Sequence, residues 1–417
     1  MRRVLVLTDD RLGPAMAGPA LRALELARVL AQDASVTLAS TRPVGPVPDA
    51  PCDIVHAPAP AKPARHHDVL VAPGLLPGAH PALLALDQPL VLDLVAPCLL
   101  EDLARGLGPA AIAGHRARLD AGMARADFML CAGERQRDHY LGRLCALQRL
   151  APAAHAEDPA FTRLIADVPF GLPATPPAAG PARLPPGQVR FLWAGGLWDW
   201  LDPLTPLRGL ARADLPEAHL IYLAGASPNP GTPRPAMPAR TRALVAELDL
   251  HERVHVLDAW VPYAERGAVA LEADAAFMAH PATLESHFAF RTRALDALWA
   301  GRPVLCTRGD ALAELVEREG LGLAVPPGDA DAWAAAFTTI ARDDAFVAAC
   351  RARIAALRPT LTWERVAEPL QAFVAGPTRS PSSHVRIPAR HRLALARELW
   401  QHEGAHGLWR VISARAR

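Results

Sequence analysis

The sequence predicts an α/β protein: two Rossmann-like domains, each a doubly wound parallel sheet, facing a cleft. Three observations carry this. Short apolar β-type runs alternate with helical patterns along most of the chain, the signature of parallel sheets covered on both faces. A proline-rich stretch, Pro173–Pro186, can continue neither a helix nor a central strand and divides the alternation into two series. With 417 residues and 51% apolar content, the chain suffices for two hydrophobic cores.

In the first series the expected strands are Val4–Leu7, Ser35–Ala39, Asp53–His56, Val69–Ala72, Leu90–Leu94 and Phe128–Cys131. Pro19–Ala31 between the first two carries Leu21, Leu24, Leu26, Val29 and Leu30 at helical spacing. The second series has strands at Val189–Trp193, His219–Ala224, Val254–Leu257, Ala275–Ala279, Pro303–Thr307 and Gly322–Val325, with helices over Pro238–Leu248, Thr292–Ala300 and Ala330–Phe337. This organises the chain as a domain over 1–172, a linker over 173–187 and a second domain over 188–360. After Gly376, residues 377–417 form a basic amphipathic tail, with eight arginines from Thr378 onward against Glu398 and Glu403. Such a tail either lies on an anionic membrane surface or docks as a helix with a solvated charged face.

Composition excludes several classes. Lys+Arg of 44 against Asp+Glu of 43 argues against a nucleic-acid binder. The six cysteines form no CxxC pair and no histidine cluster accompanies them, so no metal site is expected. No apolar run reaches membrane-spanning length and no signal-peptide core opens the chain, so a cytoplasmic protein is expected. Nearly all positive charge is arginine, with Lys62 the only lysine, a bias read as genomic rather than functional.

Four segments carry candidate chemistry, each at the carboxyl end of an expected strand, where ligands of such sheets bind. Gly13-Pro-Ala-Met-Ala-Gly18-Pro19 joins the first strand to the first helix; its glycines permit close backbone approach to a ligand, or simply form a tight turn. Trp193-Ala-Gly195-Gly196-Leu-Trp198-Asp199-Trp200-Leu-Asp202-Pro203 places three tryptophans in eight residues around paired glycines, lining a site or packing an interface. Asp202-Pro203 reads as a helix cap. The third segment runs from His280 to Val304 and contains Glu285, Phe290, Arg291, Thr292, Arg293 and Asp296. Arg291 and Arg293 crowd an expected helix N-terminus, a conflict relieved either by a bound diphosphate or by pairing with Glu285 and Asp296. Those two carboxylates could instead accept sugar and ribose hydroxyls. The fourth, Cys131-Ala-Gly133-Glu134-Arg135-Gln136-Arg137-Asp138, opens a helix at the ligand end of the first sheet, beside Asp93.

These segments resemble the family 4 retaining glycosyltransferases of GT-B fold over most of residues 1–376. The likeness is strongest from Val189 to Gly328: a Gly-Gly loop, a strand with Leu223-Ala-Gly225, then the acidic loop and helix ending Gly301-Arg-Pro303-Val304. Phe170-Gly171, Trp198-Asp-Trp-Leu-Asp-Pro203, Trp260-Val-Pro-Tyr263 and Phe290-Arg-Thr-Arg293 look like a bacterial branch found with surface-polysaccharide genes. The resemblance implies retaining transfer from a nucleotide-diphosphate sugar to a saccharide or lipid-linked acceptor, no required metal or other cofactor, and a C-terminal helix near 361–376 crossing back to the first domain. The family's two glutamates lie eight residues apart. Here Asp296 takes the second place by its spacing to Gly301, whereas Phe288 stands where the first would be and Glu285 is the nearest glutamate. The basic pair that follows the family's Gly-rich loop is replaced by Trp198 and Asp199.

The expected site therefore has Glu285, Arg291 and Arg293 as catalytic groups. The donor is held by Gly195, Gly196, Trp198, Asp199, Glu285, Phe290, Arg291, Thr292, Arg293 and Asp296. Gly18, Asp93, Glu134, Arg135 and Gln136 stand on the acceptor side. A nucleotide-sugar epimerase of the same fold and a non-catalytic sugar-binding relative are the alternatives.

Overall fold

The computed structural model describes residues 1–47, 49–229 and 232–384. They form two compact units, Met1–Gly13 with Ala17–Pro169 and the chain from Val366, and Pro14–Met16 with Phe170–Arg365.

The first unit is built on β1 (Arg3–Thr8), β2 (Ser35–Ser40), β3 (Asp53–His56), β4 (Val69–Pro73), β5 (Leu90–Asp93), β6 (Phe128–Cys131) and β7 (Ile165–Asp167), in the order β3-β2-β1-β4-β5-β6-β7. Every pairing is parallel, with Val4 opposite both Val36 and Val69. The second unit has β8 (Val189–Trp193), β9 (Ala218–Leu223), β10 (Val254–Leu257), β11 (Ala275–Met278), β12 (Val304–Thr307) and β13 (Gly322–Val325), ordered β10-β9-β8-β11-β12-β13 and again parallel throughout. All the strands expected from sequence form, five with the same bounds and the others within one residue. β7 was not expected: of its three residues only Ile165 is buried, so it carries no apolar run.

Both sheets reverse direction beside their first strand, β1 between β2 and β4 and β8 between β9 and β11. Loops leaving the two strands at such a switch point diverge and open a crevice at their carboxyl ends. The cores explain the strands. In the second unit the Phe277 ring meets Trp193, Tyr222, Trp333 and Phe337 edge-on at 5.1–6.3 Å between centroids, a geometry favourable beyond burial alone. Trp193, read from sequence as a possible site residue, is thus core, 1% exposed.

In the first unit, helix Gly18–Leu30 packs an apolar face that also carries Arg22, 1% exposed. Its guanidinium binds both oxygens of Asp93 at 2.6 and 3.0 Å and the carbonyls of Val168 and Pro169, tying this helix to the ends of β5 and β7. Helix Leu76–Ala79 seats on helix Pro109–Arg125 at Gly78, where a Cβ would come 2.3 Å from the Arg118 carbonyl oxygen.

The chain from Val366 belongs to the first unit: helix Glu368–Ala375 stacks Phe373 on Phe128 at 4.8 Å and 11°. Beyond it, Arg379 and the Ser380 amide bind Asp127, and the Ser380 and Ser382 hydroxyls meet buried Arg149. The amphipathic tail, apart from its first residues to 384, lies outside the described residues, and with it the membrane contact expected there. Among the described residues no helix is long and apolar enough to cross a membrane.

His219 on β9 and His255 on β10 stack in parallel, centroids 5.5 Å apart and planes at 4°. Burial, then Arg253, holds the His219 ring below its ordinary pKa; burial, then His219, does the same for His255. The fold therefore favours neutral rings. Their contribution is complete above about pH 6.5, the unfolded value, and is lost as pH falls through the lower folded-state values. Thermal melts at about pH 7.5 and about pH 5, on either side of that window, should show His255→Gln losing less stability on acidification than the parent protein.

Candidate functional site

At the switch point of the second sheet two loops meet, one after β8 and one after β11. The first leaves buried Trp193 and passes through Gly195, whose φ of +129° suits only glycine, and Gly196, which lies under the Trp198 ring. A Cβ on Gly195 would sit 2.8 Å from Arg293 Nε, so the bare backbone is what lets that side chain lie across the loop.

The rest of this loop is structural. Trp198 and Trp200 stack on each other at 5.4 Å and 6° and pack against the core. Asp199, expected to hold donor, accepts the amides of Ala236 and Met237 at 3.2 and 2.8 Å and caps helix Met237–Glu247. That is a correction: both of its oxygens are engaged in ordering the next helix. Asp202 caps as expected, accepting the Thr205 amide and hydroxyl, and helix Leu204–Arg212 begins just beyond Pro203.

The second loop runs through a short helix, Leu284–Phe288, capped by the Thr283 hydroxyl, into helix Arg293–Trp299. Glu285 is 3% exposed and grips Arg291 with both oxygens, Nη1 to Oε1 at 3.2 Å and Nη2 to Oε2 at 2.9 Å. Arg291 also donates to Ser286 Oγ and lies 3.5 Å from Asp310, which in turn is 3.1 Å from His280 Nε2. Of the two readings of the arginines, internal pairing therefore holds for Arg291, and Glu285 and Arg291 are corrected from open donor ligands to a closed pair. Arg293 is not paired in this way. Among the described residues it has no hydrogen bond and no ion pair, and burial, then Arg291, pushes its guanidinium down to about 9 against the opposing pull of Glu285. A partly buried cation with no carboxylate in contact favours an anion beside it.

Asp296 lies on helix Arg293–Trp299 and meets Arg266 Nε through Oδ1 at 2.9 Å, the pairing partner being Arg266 rather than either loop arginine. Arg266 is fixed in turn by the Tyr263 carbonyl and hydroxyl and lies 3.6 Å over the Tyr263 ring. Burial raises the Asp296 carboxyl, and Arg266 opposes that. Its Oδ2 has no hydrogen bond among the described residues. Phe290 packs partly buried against the core, and Thr292 immediately precedes the helix without capping it.

The expected acceptor-side residues divide similarly. Asp93 is corrected to an anchor, since Arg22 takes both its oxygens. Gln136, 1% exposed, is corrected as well: Oε1 accepts the Ala132 amide and Nε2 donates to the Val95 carbonyl, both at 2.9 Å. Gly18 opens helix Gly18–Leu30, while exposed Glu134 and partly exposed Arg135 open helix Glu134–Ala146. Sequence reasoning passed over Arg266, Ser286 and Asp310. Only Asp310 left a signal, standing after a strand and before a helix that it caps through Ala313.

Residues 206–343 match the family described as Glycosyl transferases group 1. No curated protein matches the chain. Solved structures do. Sucrose-phosphate synthase from Thermosynechococcus elongatus is 18% identical with a TM-score of 0.67, over 90% of this chain and all of that one. Anabaena HepE in complex with UDP and glucose is 14% identical with a TM-score of 0.62, over 90% of this chain and 100% of that one. WaaG, a glycosyltransferase involved in lipopolysaccharide biosynthesis, is 15% identical with a TM-score of 0.58, over 89% of this chain and 100% of that one. With two parallel-sheet α/β units, the chain has the GT-B fold.

Gly195→Ala combines backbone strain with displacement of Arg293 and should cost about 2–3 kcal/mol of stability. Gly301 also has positive φ, +69°, but no atom lies within 4 Å of its Cβ position, so Gly301→Ala should cost about 1 kcal/mol. Urea midpoints of the two variants measure the difference.

Proposed function

We propose that the chain is a glycosyltransferase that takes a sugar from a nucleotide-diphosphate donor, with retention at the anomeric carbon and without a required metal. The acceptor would be a saccharide or lipid-linked saccharide in bacterial surface-polysaccharide or glycoconjugate synthesis, on the cytoplasmic side of the membrane. One observation carries the donor class: Arg293, a cation without a carboxylate partner, lies across the Gly195–Gly196 backbone at the switch point of the second sheet. The family match over 206–343 and the UDP bound to the structural neighbour HepE support the same reading.

In this reading the diphosphate lies against Arg293 and the backbone of Gly195–Gly196. Breaking the bond between anomeric carbon and phosphate oxygen builds negative charge on the leaving diphosphate, and a pre-set guanidinium stabilises that charge more than it stabilises the ground state. Asp296, held by Arg266 through Oδ1, offers Oδ2 to a ribose hydroxyl. Glu285 keeps Arg291 in place, so the loop that carries Arg293 does not collapse onto the carboxylate.

Titration calorimetry with UDP in EDTA should show the parent protein binding and Arg293→Ala binding at least about tenfold more weakly, the loss expected for one charge-assisted contact. Equal affinities would remove Arg293 from the donor site. Proton NMR of the product from UDP-glucose and a saccharide acceptor should give an α-linked sugar; a β linkage would refute retention, and an isomerised donor would assign an epimerase.

A further inference from the structure

In the loop after β8 an indole N–H stands open beside Gly196. Trp198 is held on two sides, its ring stacked on Trp200 and packed, partly buried, against the core of the second unit. The edge that carries Nε1 lies at Gly196, whose Cβ position is 3.3, 3.4 and 3.5 Å from Cε2, Cζ2 and Nε1. Three other tryptophans of this unit show what the fold does with an indole N–H elsewhere. Trp299 donates to the Thr175 carbonyl at 2.7 Å, and Trp193 and Trp333 keep theirs sealed in the core. Trp198 does neither. Among the described residues its Nε1 has no hydrogen bond, and its ring is partly exposed.

The neighbours of this N–H give it meaning. Arg293 Nε lies 2.8 Å from the Cβ position of Gly195, so a guanidinium and an indole N–H flank two consecutive glycines, whose Cα atoms are about 3.8 Å apart. Asp199, the next residue after Trp198, accepts the Ala236 and Met237 amides, and a carboxylate has no proton to donate. Of the two residues that stand in place of the expected basic pair, Trp198 alone can therefore donate to an anion. An indole donor also suits the local charge. Arg291 already pushes the Arg293 guanidinium down, and a third cation in this loop would add to that repulsion, whereas a neutral N–H does not.

We infer that Trp198 binds the donor: its Nε1–H bonds a phosphoryl oxygen of the nucleotide diphosphate lying against Gly195–Gly196, an uncharged group in a role that a second cation would otherwise fill. This rests on the glycosyl-transfer reading above, and every residue it uses belongs to the second unit. The Trp200 stack, with planes at 6° and centroids at 5.4 Å, sets the plane of the ring before a ligand arrives, so little side-chain freedom is lost on binding. When the bond from anomeric carbon to phosphate oxygen breaks, the bonding pair stays on that oxygen and the negative charge of the diphosphate rises. A fixed N–H beside it is then worth more than in the ground state.

The test separates the two halves of UDP. Calorimetry of the full chain in EDTA, with UDP and with pyrophosphate and uridine as its competitors, compares the parent protein with Trp198→Phe, which keeps an aromatic ring against Trp200 and removes the N–H. Affinity for UDP and for pyrophosphate should each fall about tenfold, the loss of a hydrogen bond to a charged acceptor, while affinity for uridine is unchanged. Trp200→Phe, which leaves the Trp198 N–H in place, should bind UDP as the parent does. Equal losses in the two variants would make the stack a matter of packing and overturn the inference. A loss in Trp198→Phe that falls on uridine instead of pyrophosphate would overturn it too, by assigning the ring to the base. Parental UDP affinity in Trp198→Phe would overturn this inference alone and leave the donor reading standing on Arg293. A parent protein that binds neither UDP nor pyrophosphate would overturn the donor reading itself, and this inference with it.

Discussion

Helices, strands and loops that end or turn inside a protein present carbonyl oxygens where little water reaches, and leaving them unsatisfied costs more than most single contacts return. In the first unit arginine meets this demand. Arg22 reaches the Val168 and Pro169 carbonyls while holding Asp93, Arg125 reaches the Leu86 and Gln88 carbonyls while holding Asp127, and Arg149 gathers those of Met123, Ala124 and Ala126. Each guanidinium is at most 1% exposed. Its five donors in a rigid fork can satisfy several acceptors at once, which a lysine ammonium on a flexible stem does less well. An arginine bias read from composition as genomic is therefore also how this sheet is tied to its helices and to the chain beyond Val366.

The same accounting singles out Arg293 in the second unit. Arg291 has Glu285, Ser286 and Asp310, and Arg266 has Asp296 and Tyr263. Arg293 has none of these, and its guanidinium is the one whose charge burial and a neighbouring arginine push down to about 9. Removing a partner from a buried charge is costly, and the proposed donor site rests on this open guanidinium. The positive φ of Gly195 belongs to the same arrangement, since any side chain at that position would occupy the volume Arg293 uses.

The legibility of these features follows from how far apart the partners lie. A strand buried on both faces reads as a continuous apolar run, which is why Phe128–Cys131, buried at all four positions, could be bounded from sequence. β7, with one buried residue, could not. The Glu285–Arg291 pair spans six residues and was one of two open readings. Arg22–Asp93 spans 71 residues and Arg266–Asp296 spans 30, and no local pattern announces either. Aspartates at strand ends were consequently read as ligands when Asp93 and Asp199 were already engaged. The error has a single physical cause: carboxylates at those ends serve backbone and arginine as readily as they serve a substrate.

Two histidine–aspartate pairs in this chain differ in how far burial closes them. His280 and Asp310 are 2% and 1% exposed, and Asp310 Oδ1 is committed to the Ala313 amide, so that pair can brace Arg291 but cannot meet a solvent-borne hydroxyl. His115 and Asp102 have a similar separation, 2.7 Å against 3.1 Å, but only the carboxylate is sealed. A sealed carboxylate holds its proton-sharing partner tightly because the local dielectric is low, while an open imidazole can still exchange its proton with water. Asp93, at the carboxyl end of β5, and Asp127, just before β6, are closed by arginines instead, Arg22 in one case and Arg125 with Arg379 in the other.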